Sequence, residues 1–278
     1  MLNPQYLKVS YQYMDHKTFQ KLREIVYDNC GISLNDSKVA MLSARIAKRM
    51  RVLNIKEHTE YLDYLTNDRN TDEITKFLDV ISTNVTSFFR EKEHFDLLNN
   101  IIMGIVKSGQ KRIRIWCAAA STGQEPYTIA MVCDRASGKS ADLKILATDI
   151  STKVLEEAKE GKYNLEIIKK IPSDLLLYYF TEEIDGNNKF YCVKEVLKKL
   201  IVFKRLNLFQ TPYPMRGPID VVYCRNVMIY FDNSTREKLI SEIYRLLKPG
   251  GYLIMGHAEN LTSIQNNFKC LKPSIFMK

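Results

Sequence analysis

From about residue 111 to the end of the sequence, short runs rich in β-branched residues alternate with longer helical stretches. A chain patterned in this way has few options other than a parallel sheet with crossover helices. Strands are expected at 112–117, 143–148, 200–206, 219–224 and 252–256, with helices between them. Pro126 sits in the opening turn of one helix, where its fixed φ costs little. Lys248-Pro249-Gly250-Gly251 closes another and turns the chain into the next strand. One stretch breaks the alternation. Asp185-Gly186-Asn187-Asn188, between Ile184 and Phe190-Tyr191-Cys192-Val193, predicts a small antiparallel excursion over 184–203.

Residues 1–85 read differently, as all helix with apolar residues at helical spacing. Asp15 can cap a helix reaching Asn29, and Gly31 supplies its stop. A second helix over 36–53 aligns Val39, Leu42, Ile46, Met50 and Leu53 on one apolar stripe. Between Lys38 and Lys56 stand six basic residues and no acidic one, so the positive charge of this segment is concentrated on one helix. The expected organisation is a helical domain over 1–85 and an α/β domain over 86–278, which suits a chain of 278 residues better than one core.

Composition narrows the setting. With 45% hydrophobic and 26% charged residues the chain falls in the globular range. Its apolar stretches are too short to span a bilayer, and the N-terminus lacks the basic-then-apolar pattern of a signal peptide. A cytoplasmic protein without membrane insertion is expected. The six cysteines are scattered singly, without metal or redox spacing, and no metal site is expected. A net charge of +9 points to an acidic partner, whether nucleic acid, anionic membrane or acidic protein.

The strand ending at Cys117 runs into Ala118-Ala119-Ala120-Ser121-Thr122-Gly123-Gln124-Glu125-Pro126, a turn of small residues opening a helix. Small side chains let a ligand approach the backbone closely. Asp149 ends the next strand, where a carboxylate can take ribose hydroxyls. A dinucleotide site would need several glycines to seat a pyrophosphate on the helix terminus, yet Gly123 stands alone here. A glycine-poor loop suits a nucleoside ligand without phosphate, such as S-adenosylmethionine.

Four strings then carry a specific resemblance: Asn84-Val-Thr-Ser-Phe-Phe-Arg90-Glu91, Ala119-Ala-Ser-Thr-Gly-Gln-Glu125-Pro-Tyr, Cys224-Arg-Asn-Val-Met-Ile-Tyr-Phe231 and Gly256-His-Ala-Glu-Asn260. In this order, and over nearly the whole chain, they resemble the CheR family of chemotaxis receptor methyltransferases. The resemblance implies a helical N-terminal domain and a Rossmann-like α/β domain interrupted by a small β-subdomain. It also implies an S-adenosylmethionine-dependent protein-glutamate O-methyltransferase acting on methyl-accepting chemotaxis receptors. Cofactor contacts are then expected from Asn84, Thr86, Arg90, Glu125, Asp149, Asn207, Leu208, Arg225 and Asn226. The adenine falls to Asn207 and Leu208, the ribose to Asp149, and the methionine end to Glu125 and Arg90. Gln124 departs from the acidic residue common at its position. Lys48 stands where an arginine is common on the receptor-facing helix, and a lysine cannot form a bidentate fork with a carboxylate.

Methyl transfer from a sulfonium to a glutamate needs no general base, because the carboxylate is ionised at pH 7. Arg90 can orient it and Tyr230 can donate a hydrogen bond that aligns the attacking oxygen. Both are expected as catalytic residues, whereas His257 reads as a strand-end histidine. Arg45, Lys48, Arg49 and Arg51 are expected to dock on the acidic helical bundle of a receptor, with the enzyme working as a monomer. Two rivals remain at this point. A nucleic-acid methyltransferase would suit the basic charge but lacks an Asn-Pro-Pro-Tyr type motif and any recognisable RNA module. A non-catalytic scaffold of the same fold would not need Arg90, Asp149 and Tyr230.

Overall fold

The Asp15 carboxylate accepts hydrogen bonds from the Thr18 backbone N–H at 2.9 Å and the Thr18 hydroxyl at 2.6 Å. This satisfies donors left free at a helix start, and α1 follows over His16–Cys30. Gly31, at φ +71, takes the left-handed conformation that ends it. The structure, a computed structural model, describes residues 14–67, 71–138 and 141–278. The first thirteen residues of the expected helical segment lie outside it.

The chain divides into two units, Met1–Asn29 with Ser33–Ile81, and Cys30–Ile32 with Ser82–Lys278. In the first, α1 is joined by α2 (Val39–Leu53), α3 (His58–Thr66) and α4 (Thr71–Ile81). Phe19, Leu22, Leu42, Ile46, Tyr61 and Phe77 are fully buried among them. The helix expected over 36–53 starts later. Asp36–Lys38 form a 3-10 turn in which the Lys38 N–H donates to the Asn35 carbonyl at 2.9 Å and the Ser37 hydroxyl to the Asn35 side chain at 2.6 Å. Such local side-chain bonds compete with helix formation.

Two of the basic residues on α2 turn inward. Arg49 grips Glu73 of α4 with two bonds, Nε to Oε1 at 2.9 Å and Nη2 to Oε2 at 2.6 Å. The buried Glu73 also accepts the Tyr61 hydroxyl at 3.0 Å. The Arg45 guanidinium donates to the Ile81 carbonyl at the end of α4. Lys48 and Arg51 stay exposed.

The second unit opens with α5 (Glu93–Lys107) and continues through β1 (Arg112–Cys117), α6 (Gln124–Ser137), β2 (Asp142–Asp149) and α7 (Thr152–Glu160). Next come β3 (Lys162–Asn164), α8 (Leu165–Ile168), α9 (Ser173–Tyr179), β4 (Phe180–Asp185), β5 (Asn188–Val193), α10 (Glu195–Lys198) and β6 (Ile201–Arg205). The chain closes with β7 (Ile219–Cys224), α11 (Asn233–Leu246), β8 (Leu247–Met255), β9 (Lys269–Lys272) and β10 (Ile275–Met277). All five expected strands form.

The main sheet has the order β6-β2-β1-β7-β8-β10-β9, parallel from β6 to β8. Its residues feed two cores by alternation. Val221 and Tyr223 of β7 join α5 and α6, while Val222 and Cys224 join α11. The chain leaves β1 toward β2 and β6, then returns to β1's other side for β7 and β8. The carboxyl ends of β1 and β7 therefore flank a topological switch point, where open α/β sheets form a crevice.

The β-subdomain differs from the expected span of 184–203. Its antiparallel sheet is β3-β5-β4, so it begins at Lys162, and 201–205 is β6 of the main sheet, paired with β2. The turn at Gly186, φ +58, is where the hairpin was expected. The β9–β10 hairpin, which extends the sheet antiparallel beyond β8, was not foreseen, since β9 is four exposed residues with no alternation. Strand β8 is assigned from Leu247. Its register with β7 jumps from Ile219↔Leu247 to Val221↔Tyr252, so the Pro-Gly-Gly segment bulges within the strand.

Two predictions follow from buried charge. Removing Arg49 strands the Glu73 carboxylate, so Arg49→Ala should cost about 3 kcal/mol or more in urea unfolding followed by circular dichroism. The exposed Arg51→Ala should cost about 0.5 kcal/mol or less, and equal effects would contradict the assignment. His94 of α5 is 1% exposed, and its Nδ1 has no hydrogen-bond partner. Burial, then the Arg225 charge, pushes its pKa down to about 4, against the opposing pull of Glu91 and Glu93 and with a further push from His257. The unfolded chain binds a proton near pH 6.5 that the folded chain refuses until about 4. Stability from this group is complete above 6.5 and falls with pH across that window, by about 3 kcal/mol at 1.36 kcal/mol per unit. His94→Phe should flatten the decline between pH 6.5 and 4.5; an unchanged slope would contradict it.

Candidate active site

At the carboxyl ends of β1 and β7 lies a cleft of about 860 Å³, counted to its open mouth. All ten residues expected at the cofactor or reaction centre line it: Asn84, Thr86, Arg90, Glu125, Asp149, Asn207, Leu208, Arg225, Asn226 and Tyr230. They come from five separate segments of the second unit.

One wall is the small-residue turn after β1. Ala118, Ala119 and Ser121 face the cleft. Gly123 has a different reason to be glycine: a Cβ there would stand 2.7 Å from the Tyr163 hydroxyl and 3.0 Å from Ala158 Cβ. Its role is close packing against α7 and β3. Asp149, nearly buried at the end of β2, is fixed by backbone donors, the Ser121 N–H to Oδ2 at 2.8 Å and the Ser151 N–H to Oδ1 at 3.0 Å. Leu206, Leu208 and Ile150 give the adjoining wall an apolar lining.

The opposite wall is the segment leading into α5. Phe88, fully buried, packs edge-on against Tyr163 and Phe180, and Phe89 packs against Phe95. With both rings anchored, Phe89 and Glu91 are held at positive φ, +52 and +58, a strained arrangement that persists only when the surroundings enforce it. Arg90 projects between them, 38% exposed, with Nη1 donating to the Val85 carbonyl at 3.0 Å. That bond ties it to the Asn84–Thr86 segment, whose Asn84 carbonyl accepts the Ser121 hydroxyl at 3.1 Å.

Arg225, just past β7, joins these walls. Its side chain is fully buried. It donates through Nη1 to Glu125 Oε2 at 2.6 Å, and through Nη2 to the Arg90 carbonyl at 2.6 Å and to Glu91 Oε2 at 3.0 Å. Burial opposes its charge, but Glu125 and Glu91 outweigh that and raise its pKa. Burial likewise opposes ionisation of Glu91, and Arg225 overcomes it to hold the carboxyl below its ordinary value. For Glu125 burial wins, and its carboxyl is pushed up in spite of Arg225. Arg225 therefore lines the cleft with both Nη atoms committed to protein groups, while its buried Nε has no hydrogen-bond partner among the described residues.

Tyr230 sits half-buried in the 3-10 turn Met228–Tyr230 after β7. His257 does not line the cleft; its Nε2 lies 2.6 Å from Glu93 Oε1 and its ring packs on His94. Glu91, His94 and His257 bring ligand-type atoms within 4.8 Å of one another. The Glu91 oxygen facing the two histidines is engaged by Arg225, so a cation there would meet a buried positive charge. Sequence reasoning passed over Glu91 and Glu259, although both lie inside recognisable strings. The available signal was their place inside the strings that carry the resemblance.

Comparison with known proteins agrees with this geometry. Residues 84–277 match the family model "CheR methyltransferase, SAM binding domain" and residues 17–82 match "CheR methyltransferase, all-alpha domain". The chain is similar to a chemotaxis protein methyltransferase of Borreliella burgdorferi, 40% identical over 269 residues and covering 93% of each chain. It is 36% identical to chemotaxis protein methyltransferase 2 of Pseudomonas aeruginosa, covering 93% of this chain and 91% of that one. The chemotaxis protein methyltransferase of Escherichia coli is 37% identical, with 90% and 86% covered. A fold, a switch-point cleft and matches spanning both units lead to one conclusion: the chain belongs to the CheR methyltransferase family and is an S-adenosylmethionine-dependent methyltransferase.

Proposed function

We propose that the enzyme transfers a methyl group from S-adenosylmethionine to glutamate side chains of bacterial chemoreceptors, forming methyl esters that adjust receptor signalling. The observation that carries this reading is the single cleft that gathers a carboxylate for ribose, an apolar wall for adenine, and Arg90 together with Tyr230.

The cleft fits the cofactor. Asp149 is pre-set by two backbone donors and would accept the ribose hydroxyls, Asn207 and Leu208 would hold the adenine, and Asn84, Thr86, Asn226 and Glu125 would serve the remaining polar groups. When bound, S-adenosylmethionine would supply an electrophilic methyl on a sulfonium to a carboxylate oxygen, the C–S bond breaking as the C–O bond forms and the thioether leaving as S-adenosylhomocysteine. The chain's own residues orient and desolvate. Arg90 holds the incoming carboxylate by a charge-assisted hydrogen bond, and Tyr230 donates to align the attacking oxygen. Neither takes a proton, since the carboxylate arrives ionised. The Arg90 side chain is partly exposed to water, which limits how far it stabilises the ground-state charge it must give up.

Receptor docking falls to the basic face of α2, with Lys48 and Arg51 as its free charges. Arg45 and Arg49 support that face from within through Ile81 and Glu73. Among the described residues no helix is long and apolar enough to cross a membrane, and the enzyme is read as a cytoplasmic monomer that meets the receptor's cytoplasmic helical bundle.

The test is transfer of tritiated methyl to receptor-containing membranes, followed by alkaline release of methanol. Base-labile label that falls by about 100-fold or more in Arg90→Ala, the scale of a lost transition-state donor, is expected. Base-stable label, or label only on added RNA, would overturn the glutamate reading.

A further inference from the structure

Beyond the cleft's own lining, one buried acid has more backbone donors gathered on it than any side chain described above. Glu259, 6% exposed, accepts at Oε1 from the Val227 N–H at 3.0 Å and the Met228 N–H at 2.8 Å. At Oε2 it accepts from the Asn226 N–H and the Gly256 N–H, both at 2.8 Å. A single carboxylate thus collects three consecutive N–H groups of the turn after β7 and one from the end of β8. These N–H groups converge because Asn226 takes the left-handed conformation, φ +57, which asparagine tolerates better than other non-glycine residues. Gly256 completes the arrangement. A Cβ there would stand 2.5 Å from Asn226 Nδ2 and 2.9 Å from Glu259 Oε2.

The stapled turn carries both ends of the chemistry. Asn226 lines the cleft, and the 3-10 turn presenting Tyr230 begins at Met228, with the Tyr230 N–H donating to the Val227 carbonyl at 3.2 Å. We infer that Glu259 is a positioning residue for methyl transfer: by binding four N–H groups it fixes the Asn226–Met228 turn and so sets where Tyr230 meets the attacking carboxylate. Glu259 does not line the cleft, so it acts through the turn and not on substrate. Misplacement of a reacting group by about 1 Å can cost on the order of 100-fold in rate, and a turn released from its staple has that freedom. This rests on the reading of Tyr230 given above.

Glu259→Gln is the sharpest variant. It is nearly isosteric, but in either amide orientation an NH₂ replaces an oxygen that accepts two N–H bonds, and donors then face donors. Glu259→Asp keeps the charge and withdraws it by one methylene. Ser274→Ala is the control, because the Ser274 hydroxyl donates to the Gly256 carbonyl at 3.1 Å and holds the same strand end without touching the turn. Each protein is assayed for methyl transfer at saturating receptor and for S-adenosylhomocysteine binding by calorimetry, at a temperature where circular dichroism shows it folded. The expected result is a kcat lowered at least tenfold in Glu259→Gln, with a smaller change in the dissociation constant. An intermediate loss is expected in Glu259→Asp, and a kcat within twofold of wild type in Ser274→Ala. If Glu259→Gln does not fold, Glu259→Asp decides. A folded Glu variant with kcat within twofold of wild type would overturn the positioning role, as would an equal loss in Ser274→Ala. Failure of the wild-type enzyme to label receptors at all would instead overturn the functional reading on which the inference stands.

Discussion

The site depends on one buried cation. Arg225 leaves β7 with no exposed side-chain surface and bridges three acceptors from two other segments: Glu125 in the first turn of α6, and Glu91 with the Arg90 carbonyl in the strained linker before α5. Lysine could not replace it, since only a planar fork reaches several acceptors at fixed angles. Taking such a charge out of water is costly unless geometry and hydrogen bonds are near ideal. Here the cost is met by two carboxylates and by Phe95 and Tyr223, whose rings lie 5.5 and 5.9 Å from the guanidinium carbon. The arrangement serves position. It fixes the two walls of the cleft relative to β7, and through the Arg90 backbone it sets where the Arg90 side chain enters.

The same logic recurs around the cleft with backbone N–H groups in place of a guanidinium. Asp149 is held by two backbone N–H groups and Glu259 by four. In each case a buried carboxylate converts a loop at the end of a strand into a rigid element. Ligand sites at switch points are built from loops, and loops are mobile unless something orders them. Buried, fully hydrogen-bonded acids supply that order here.

Much of this was legible in the sequence, for physical reasons. The five main strands are buried runs bounded by turn residues, and Asp149 and the alanine-rich turn follow from where the strands end. Other features had no local signature. Lys162–Asn164 became part of the small sheet only because β5 pairs with it, and four exposed residues became β9 only because β10 lies alongside. On α2, a basic stripe reads the same whether its arginines face water or an internal carboxylate, so the inward turn of Arg49 toward Glu73 appears only when α4 is folded against it. Arg225 was recognised by its string, yet its three acceptors lie 100 or more residues away in the chain and no spacing encodes them.

The most direct measurement of this account is titration of S-adenosylhomocysteine into folded Arg225→Lys protein by calorimetry. The variant keeps the charge and loses the fork. If Arg225 orders the cleft, affinity should fall about tenfold or more, about 1.4 kcal/mol. Affinity within a factor of two of wild type would show that the cleft is ordered without the bridge, and would contradict the account.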